Sequence, residues 1–213
     1  MVKTIQEHLI KQENEIYKDN TLKVKSNVFM QLMNIYSQAI EEVKQELESI
    51  NKKHNLMDHV KTRIKEPKSI INKMKSKNYS LTYRNLIENI NDIAGVRIIT
   101  STKESIYKLK DMIENETNIN ILKEKDYIAK PKKSGYSSLH LIVEIPVNIE
   151  EQIVFVKVEI QIRTIAMDLW ASMEHEIKYK PKSKLSKASS KKLIQYAKIL
   201  NKIETEMAKM YNA

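Results

Sequence analysis

The chain has 213 residues, 41% of them hydrophobic and 30% charged, with a net charge of +10 and no cysteine. That length carries one sizeable domain with helical additions, and the missing cysteines exclude disulfides and thiolate metal sites. No apolar run approaches the roughly 18 residues that span a bilayer.

The first residues, MVKTIQEHLIKQENE, contain no apolar core of a secretory signal. A cytoplasmic location with no membrane contact is expected. The positive charge has two readings. One is a polyanionic partner, nucleotide phosphates or nucleic acid. The other is a lysine-rich composition with solvated faces. The placement of the charges has to decide.

Residues 1–56 are expected to form a helical segment. Ile5, Leu9 and Ile16 suggest a short helix. Phe29, Met33, Tyr36, Ile40, Val43, Leu47 and Ile50 recur in steps of four and three, the apolar stripe of a long helix. Residues 57–180 mix element types. Pro67 fits a helix start. Residues 94–100 read as a short buried strand, and Ser101 or Thr102 caps a following helix through Ile106, Leu109, Met112 and Ile113.

Residues 139–145 and 153–162 are β-rich. In the second run Val154, Val156, Val158, Ile160 and Ile162 share a side. Residues 146–151 between them read as a hairpin-length loop. A helix over 164–179 carries Trp170 and stops before Pro181. Residues 180–192 are expected to be a linker. A last helix over 184–211, within a C-terminal segment 181–213, places Leu193, Tyr196, Leu200, Ile203, Met207 and Met210 on a heptad-like seam. That seam packs on the chain's own core or on another copy.

Four places carry charge with a purpose. In residues 60–77, Arg63, Lys65, Ser69 and Lys73 can converge near one helix N-terminus, which favours anions; a solvated basic face is the bland alternative. Asp92 precedes the buried strand, where a carboxylate can hold Mg²⁺ or simply make a turn. Arg97 sits inside that apolar strand and needs a partner or a ligand. Glu159 and Gln161 share the polar side of VEIQIRT, where a second carboxylate could complete a metal site or act as a base. The loop SGYSSLH holds Gly135, one of two glycines in the chain, with Tyr136 and His140. Glycine there permits close backbone approach to a phosphate, and tyrosine can stack on a base.

The blocks RIKEPKSIINK, INDIAGVRI, DYIAKPKKSGYSSLHL, VEIQIRT and MDLWASMEHEIKYK, in this order and spacing, resemble the synthetase domain of RelA/SpoT homologues. The length and flanking helices resemble the small alarmone synthetases of the RelQ type. The resemblance implies an α+β fold, a nucleotidyltransferase-like mixed sheet flanked by helices with N- and C-terminal helical extensions. It implies transfer of pyrophosphate from ATP to the 3′-hydroxyl of GTP or GDP, giving pppGpp or ppGpp and AMP.

Carried onto this sequence, the resemblance implies that Arg63 and Arg97 sandwich adenine. Lys65, Ser69 and Lys73 hold ATP phosphates. Asp92 and Glu159 bind Mg²⁺, and Glu159 also activates the acceptor hydroxyl. Gln161 belongs to the catalytic group. Tyr136 stacks on guanine, and Lys130, Lys132, Lys133 and His140 neighbour the acceptor's phosphates. Asp168 can accept from the guanine edge and is expected to help select the base.

One departure concerns Ser137, where the family usually has arginine; the acceptor's phosphate grip and the choice among GTP, GDP and GMP depend on it. None of the five histidines forms the histidine–aspartate pair of alarmone hydrolases, so synthesis without hydrolysis and without ribosome-dependent control is expected. The resemblance also implies a homotetramer through the terminal helices, with an allosteric nucleotide or RNA as a further partner. The competing function is a basic RNA-binding module without catalysis. It would tolerate the loss of Asp92. A different nucleotidyltransferase would place two acids two residues apart, where this chain has Glu159 and Gln161.

Overall fold

The computed structural model describes residues 2–4, 22–23, 26–149, 151–179 and 186–211. In chain order these form β1 (Val2–Thr4), α1 (Asn27–His54), β2 (Met57–Ile64), α2 (Pro67–Ser76), α3 (Tyr83–Asn89) and β3 (Ala94–Thr100). There follow α4 (Lys103–Glu116), β4 (Asn120–Asp126), β5 (Leu139–Ile149), β6 (Gln152–Thr164), α5 (Ile165–Tyr179) and α6 (Lys187–Tyr211).

The strands make one mixed sheet in the order β2-β3-β6-β5-β4, with β1 also on β6. β6 is the shared member. Its first half pairs parallel with β1, its second half parallel with β3, and its other edge antiparallel with β5. Val154, Val156, Val158, Ile160 and Ile162 of β6 are all buried. The long helix α1 buries Phe29, Leu32, Tyr36, Val43 and Leu47 and contacts β2, β3, β5 and β6. Helix α4 adds Ile106, Leu109 and Ile113 to the same core. One sheet face is therefore spent on the core, and the other is left for polar groups.

Local chemistry sets the helix ends. Ser26 caps α1 by accepting from the Phe29 N–H at 3.2 Å, and Asn55 closes it in the left-handed region at φ 49°. Thr102 caps α4 by accepting from the Ser105 N–H at 3.1 Å, and Pro67 opens α2. No helix among the described residues is long and apolar enough to cross a membrane.

Several expectations need correction. The segment before α1 is not wholly helical, because Val2–Thr4 is a strand on β6; Ile5, Leu9 and Ile16 lie outside the described residues. Residues 146–149 belong to β5, and pairing runs to Ile149 opposite Gln152. Pro146 is tolerated because β4 pairs only as far as Glu144, so the strand has an open edge there. The serine-rich stretch read as linker starts α6 in its second half, where Ser186 Oγ accepts from the Ser189 N–H at 3.0 Å. Strands β2 and β4 and helix α3 are additional elements.

The core assignment has a measurable consequence. Leu47 is 1% exposed and Met30, on the outer side of the same helix, is 53% exposed. Leu47→Ala should lower the unfolding free energy in urea by about 2–5 kcal/mol, and Met30→Ala by less than about 0.5 kcal/mol.

Candidate active site

The sheet register assembles the polar face. Gly95 and Arg97 of β3 lie two residues apart and share a side. Gly95 stands opposite Glu159 of β6 and Arg63 of β2. Arg97 stands opposite Gln161 of β6 and Lys61 of β2, and His140 of β5 continues that row beyond Gln161. A cleft of about 110 Å³ opens here between Arg63, Arg97, Glu159 and Gln161. A β-carbon on Gly95 would lie 3.5 Å from Arg63 Cγ, so its absence leaves the cleft floor open beside that arginine.

Asp92 precedes β3 and sits between two cations. Its Oδ2 accepts from Lys65 Nζ at 3.0 Å and lies 2.7 Å from Lys73 Nζ. Lys65 follows β2 and is held by its backbone N–H, which donates to Ile93 O at 2.8 Å; Lys73 comes from α2. Burial pushes the Asp92 carboxyl up, but the hydrogen bonds and charges of Lys73 and Lys65 outweigh it and hold the group below the ordinary aspartate value.

Asp92 Oδ1 is buried with no hydrogen-bond partner. A buried carboxylate oxygen in that state fits a cation. Among the described residues no three His, Cys, Asp or Glu side chains gather into a protein-only metal cage. Asp92 and Glu159 instead suit an ion that takes its other ligands from water and substrate phosphates, as Mg²⁺ does.

Glu159 ends a chain of donors. His140 Nδ1 lies 3.3 Å from Glu159 Oε1, and Gln161 Nε2 donates to Glu159 Oε2 at 2.8 Å. His140 Nε2 lies 2.7 Å from the Tyr136 hydroxyl, which accepts from Arg163 Nη2 at 2.8 Å. Arg163 Nη2 also donates to Gln161 Oε1 at 3.1 Å. Nδ1 can donate to the carboxylate in either protonation state of the imidazole, while the Tyr136 hydroxyl bridges Nε2 and Arg163. Burial raises Glu159, the bond from His140 and its charge lower it more, and the net position is below the ordinary glutamate value. Both acids are held ionised by the fold. The stability this contributes is present above 3.8 and 4.5 respectively and is lost as pH falls further, through the depressed folded values.

Asp168, in the first turn of α5, accepts at Oδ1 from Arg163 Nη1 at 2.9 Å and from Arg97 Nη1 at 3.4 Å. Its position is that of an ion-pair partner to two arginines. The Arg97 guanidinium is pushed below its ordinary value by burial and by the neighbouring Arg163 charge, against the pull of Asp168.

The loop that carries Tyr136 divides between cleft and scaffold. The Tyr136 ring has Lys132 Nζ at 4.8 Å and Arg163 Cζ at 5.2 Å, and meets Tyr127 edge-on at 6.0 Å. Lys130, Lys133 and Ser69 are exposed, and none lines the cleft between Arg63 and Glu159. Gly135 lies against a helix on its open side. A β-carbon on it would lie 2.8 Å from the Ala197 β-carbon, so the close approach it permits is to α6. Ser137 lines a cavity with Trp170, Ala197 and Glu204, away from the cleft floored by Gly95 and Glu159.

Arg163 is the functional residue that sequence reasoning missed. It is 4% exposed and joins Tyr136, Gln161 and Asp168. The signal was available, because the period-two side carrying Glu159 and Gln161 runs on to position 163.

Comparison with known proteins places this geometry. A profile described as a region found in RelA/SpoT proteins matches residues 62–184. GTP pyrophosphokinase YwaC of Bacillus subtilis is 45% identical over 154 residues, 72% of this chain and 73% of that protein. The crystal structure of small alarmone synthetase 2 from Bacillus subtilis superposes with a TM-score of 0.79 at 37% identity, covering 86% of this chain and 98% of that one. Small alarmone synthetase 1 from the same species, bound to its product pppGpp, superposes with a TM-score of 0.79 at 30% identity, covering 88% of this chain and 98% of that one. A profile spanning more than half the residues, together with that level of identity, establishes that the chain belongs to the RelA/SpoT family.

Proposed function

We propose that this protein is an alarmone synthetase, moving the β,γ-pyrophosphate of ATP to the 3′-hydroxyl of GTP or GDP and releasing AMP. The observation that carries the reading is the register that sets an arginine-lined cleft beside Glu159, with Asp92 and its lysines close enough for the two acids to feel each other's charge. The names of the relatives, a GTP pyrophosphokinase and a synthetase bound to pppGpp, agree with it.

The chemistry follows from the groups present. Arg63 and Arg97 offer flat cationic faces to adenine across the cleft. Lys65 and Lys73 exchange part of their bond to Asp92 for the phosphates of ATP. The acceptor's 3′-oxygen attacks the β-phosphorus. The bond from that phosphorus to the α–β bridging oxygen breaks, and AMP leaves with the oxygen. The hydroxyl proton passes to Glu159, which His140 and Gln161 hold ionised and oriented. A carboxylate with a depressed pKa is a weak base, which suffices where positioning and charge stabilisation dominate phosphoryl transfer. Mg²⁺ held by Asp92 and Glu159 would neutralise charge on the transferred phosphates. Tyr136 and the lysines of its loop form the acceptor side.

Self-association belongs to the same reading. Leu193 of the seam is buried against Trp170, while Ile203, Met207 and Met210 are exposed. On α5, Ile165, Leu169 and Met173, spaced by four, are also exposed. Ile165, Leu169, Ile203 and Met207 border one apolar groove of about 390 Å³. An uncovered face of this kind marks a protein interface, and a second copy in a homotetramer fits it.

With ATP, Mg²⁺ and GTP or GDP, the protein should yield AMP and a 3′-pyrophosphorylated nucleotide, while added pppGpp should persist. Asp92→Asn should lower the rate about a hundredfold or more; equal rates for the two proteins would overturn the reading. Arg63→Ala should raise KM for ATP about fivefold to thirtyfold with the acceptor KM unchanged. Leu169→Lys combined with Met207→Lys should reduce the assembly mass seen by light scattering; an unchanged mass would remove these helices from the interface.

A further inference from the structure

The loop that presents Tyr136 rests on the C-terminal helix. A β-carbon on Gly135 would meet the Ala197 β-carbon at 2.8 Å, Trp170 Cζ2 at 3.4 Å and Ile194 Cα at 3.5 Å. Loop and helix therefore touch more closely than a larger side chain at either position permits. Gly135 also has φ +95°, a conformation that favours glycine. The loop is closed on itself: the Gly135 N–H donates to Lys132 O at 2.8 Å, and the Lys132 N–H to Tyr136 O at 3.0 Å.

Side chains along this stretch divide between two destinations. Gly135 and Ser137 face α6, where Ser137 lines a small cavity with Trp170, Ala197, Leu200 and Glu204. Tyr136, between them, packs on the Trp170–Leu193 cluster and reaches with its hydroxyl to His140 and Arg163. The helix that supports the loop is itself fixed. Trp170 Nε1 donates to Leu193 O at 2.9 Å, tying α6 to α5. Glu204 lies 3.6 Å from Lys103 Nζ, which also donates to Asn201, tying α6 to α4.

We propose that α6 positions the acceptor subsite, with Ala197 as the positioning residue: its contact with Gly135 sets how deeply Tyr136 and Lys132 sit, and so the affinity for the guanine nucleotide. This rests on the alarmone-synthetase reading above. Ala197 touches neither substrate in it. The adenine side stands on the paired strands β2 and β3 and joins the loop at one remove, through Asp168, shared by Arg97 and Arg163, and through the bond from Arg163 to Tyr136. Perturbing Ala197 should therefore separate the two substrates.

Ala197→Met drives a long side chain against the loop backbone. It should raise KM for GTP and GDP about tenfold and leave KM for ATP within about twofold. Amide exchange in residues 130–138 should quicken, and the emission of Trp170, the sole tryptophan, should shift. Lys198→Met places the same side chain, at nearly unchanged volume, on the exposed neighbouring position and should change neither constant. If Ala197→Met does not fold, Gly135→Ala closes the same gap from the loop side and carries the same expectation. A parallel rise in both KM values, or an unmoved acceptor KM with quickened loop exchange, overturns the positioning role while an active wild type keeps the synthetase reading. A wild type that makes no product overturns both.

Discussion

The register between β3 and β6 is the constraint on which the site depends. Strand side chains alternate, so a slip of one residue would exchange the two faces. Glu159, Gln161 and Arg163 would turn into the core beneath α1, and Ile160 and Ile162 would turn to the cleft. Five aliphatic side chains of β6 are buried on the core side. At about 1.5–3 kcal/mol for each, exposing them would cost as much as the whole stability of an ordinary domain, about 5–15 kcal/mol. The hydrophobic face thereby fixes the polar one. Arg63 faces Gly95, and Gly95 faces Glu159, because the aliphatic residues between them have nowhere else to go.

On the polar face the charges are arranged to leave a surplus. Six cations, Lys61, Arg63, Lys65, Lys73, Arg97 and Arg163, stand with three carboxylates, Asp92, Glu159 and Asp168. The acids are shared in two groups. Asp92 serves Lys65 and Lys73, and Asp168 serves Arg97 and Arg163. In each group one carboxylate answers two cations, and the unanswered charge is available to a phosphate or an aromatic ring. Glu159 is different. Its partners are His140 and Gln161, and its negative charge is kept. A site that gathers two polyphosphates needs both features, a net positive field and one acid that the field does not consume.

What the sequence disclosed follows which elements bury one side only. The stripe of α1 and the alternation of β6 were legible because each packs one face on the core. β3 was legible as a continuous apolar run broken by Arg97. β2 and β4 were not, because they lie at the sheet's outer positions and most of their residues are exposed. Hydrogen bonding to β3 and β5 holds them, and backbone pairing leaves no apolar pattern. Helix α3 is seven residues long, too short for a period. Gly135 was read as a point of close approach, which it is, but a glycine does not name what approaches. Here it is Ala197, more than sixty residues away. Arg163 continues the polar alternation of Glu159 and Gln161, but its burial and its bonds to Tyr136, Gln161 and Asp168 depend on the fold.

The two halves of the site differ in how they are supported. Arg63, Arg97 and Glu159 stand on strands with paired neighbours, so their backbone positions are fixed by the sheet ladder. Tyr136 and Lys132 stand on a loop outside the ladder, held by its own turn bonds and by α6 from behind. Changing the first half means changing the sheet register, with the core energies that this entails. Changing the second needs only a different side chain on α6 or in the loop. The core thus fixes the sheet half of the site, and Ser137, facing α6, belongs to the half that loop and helix hold.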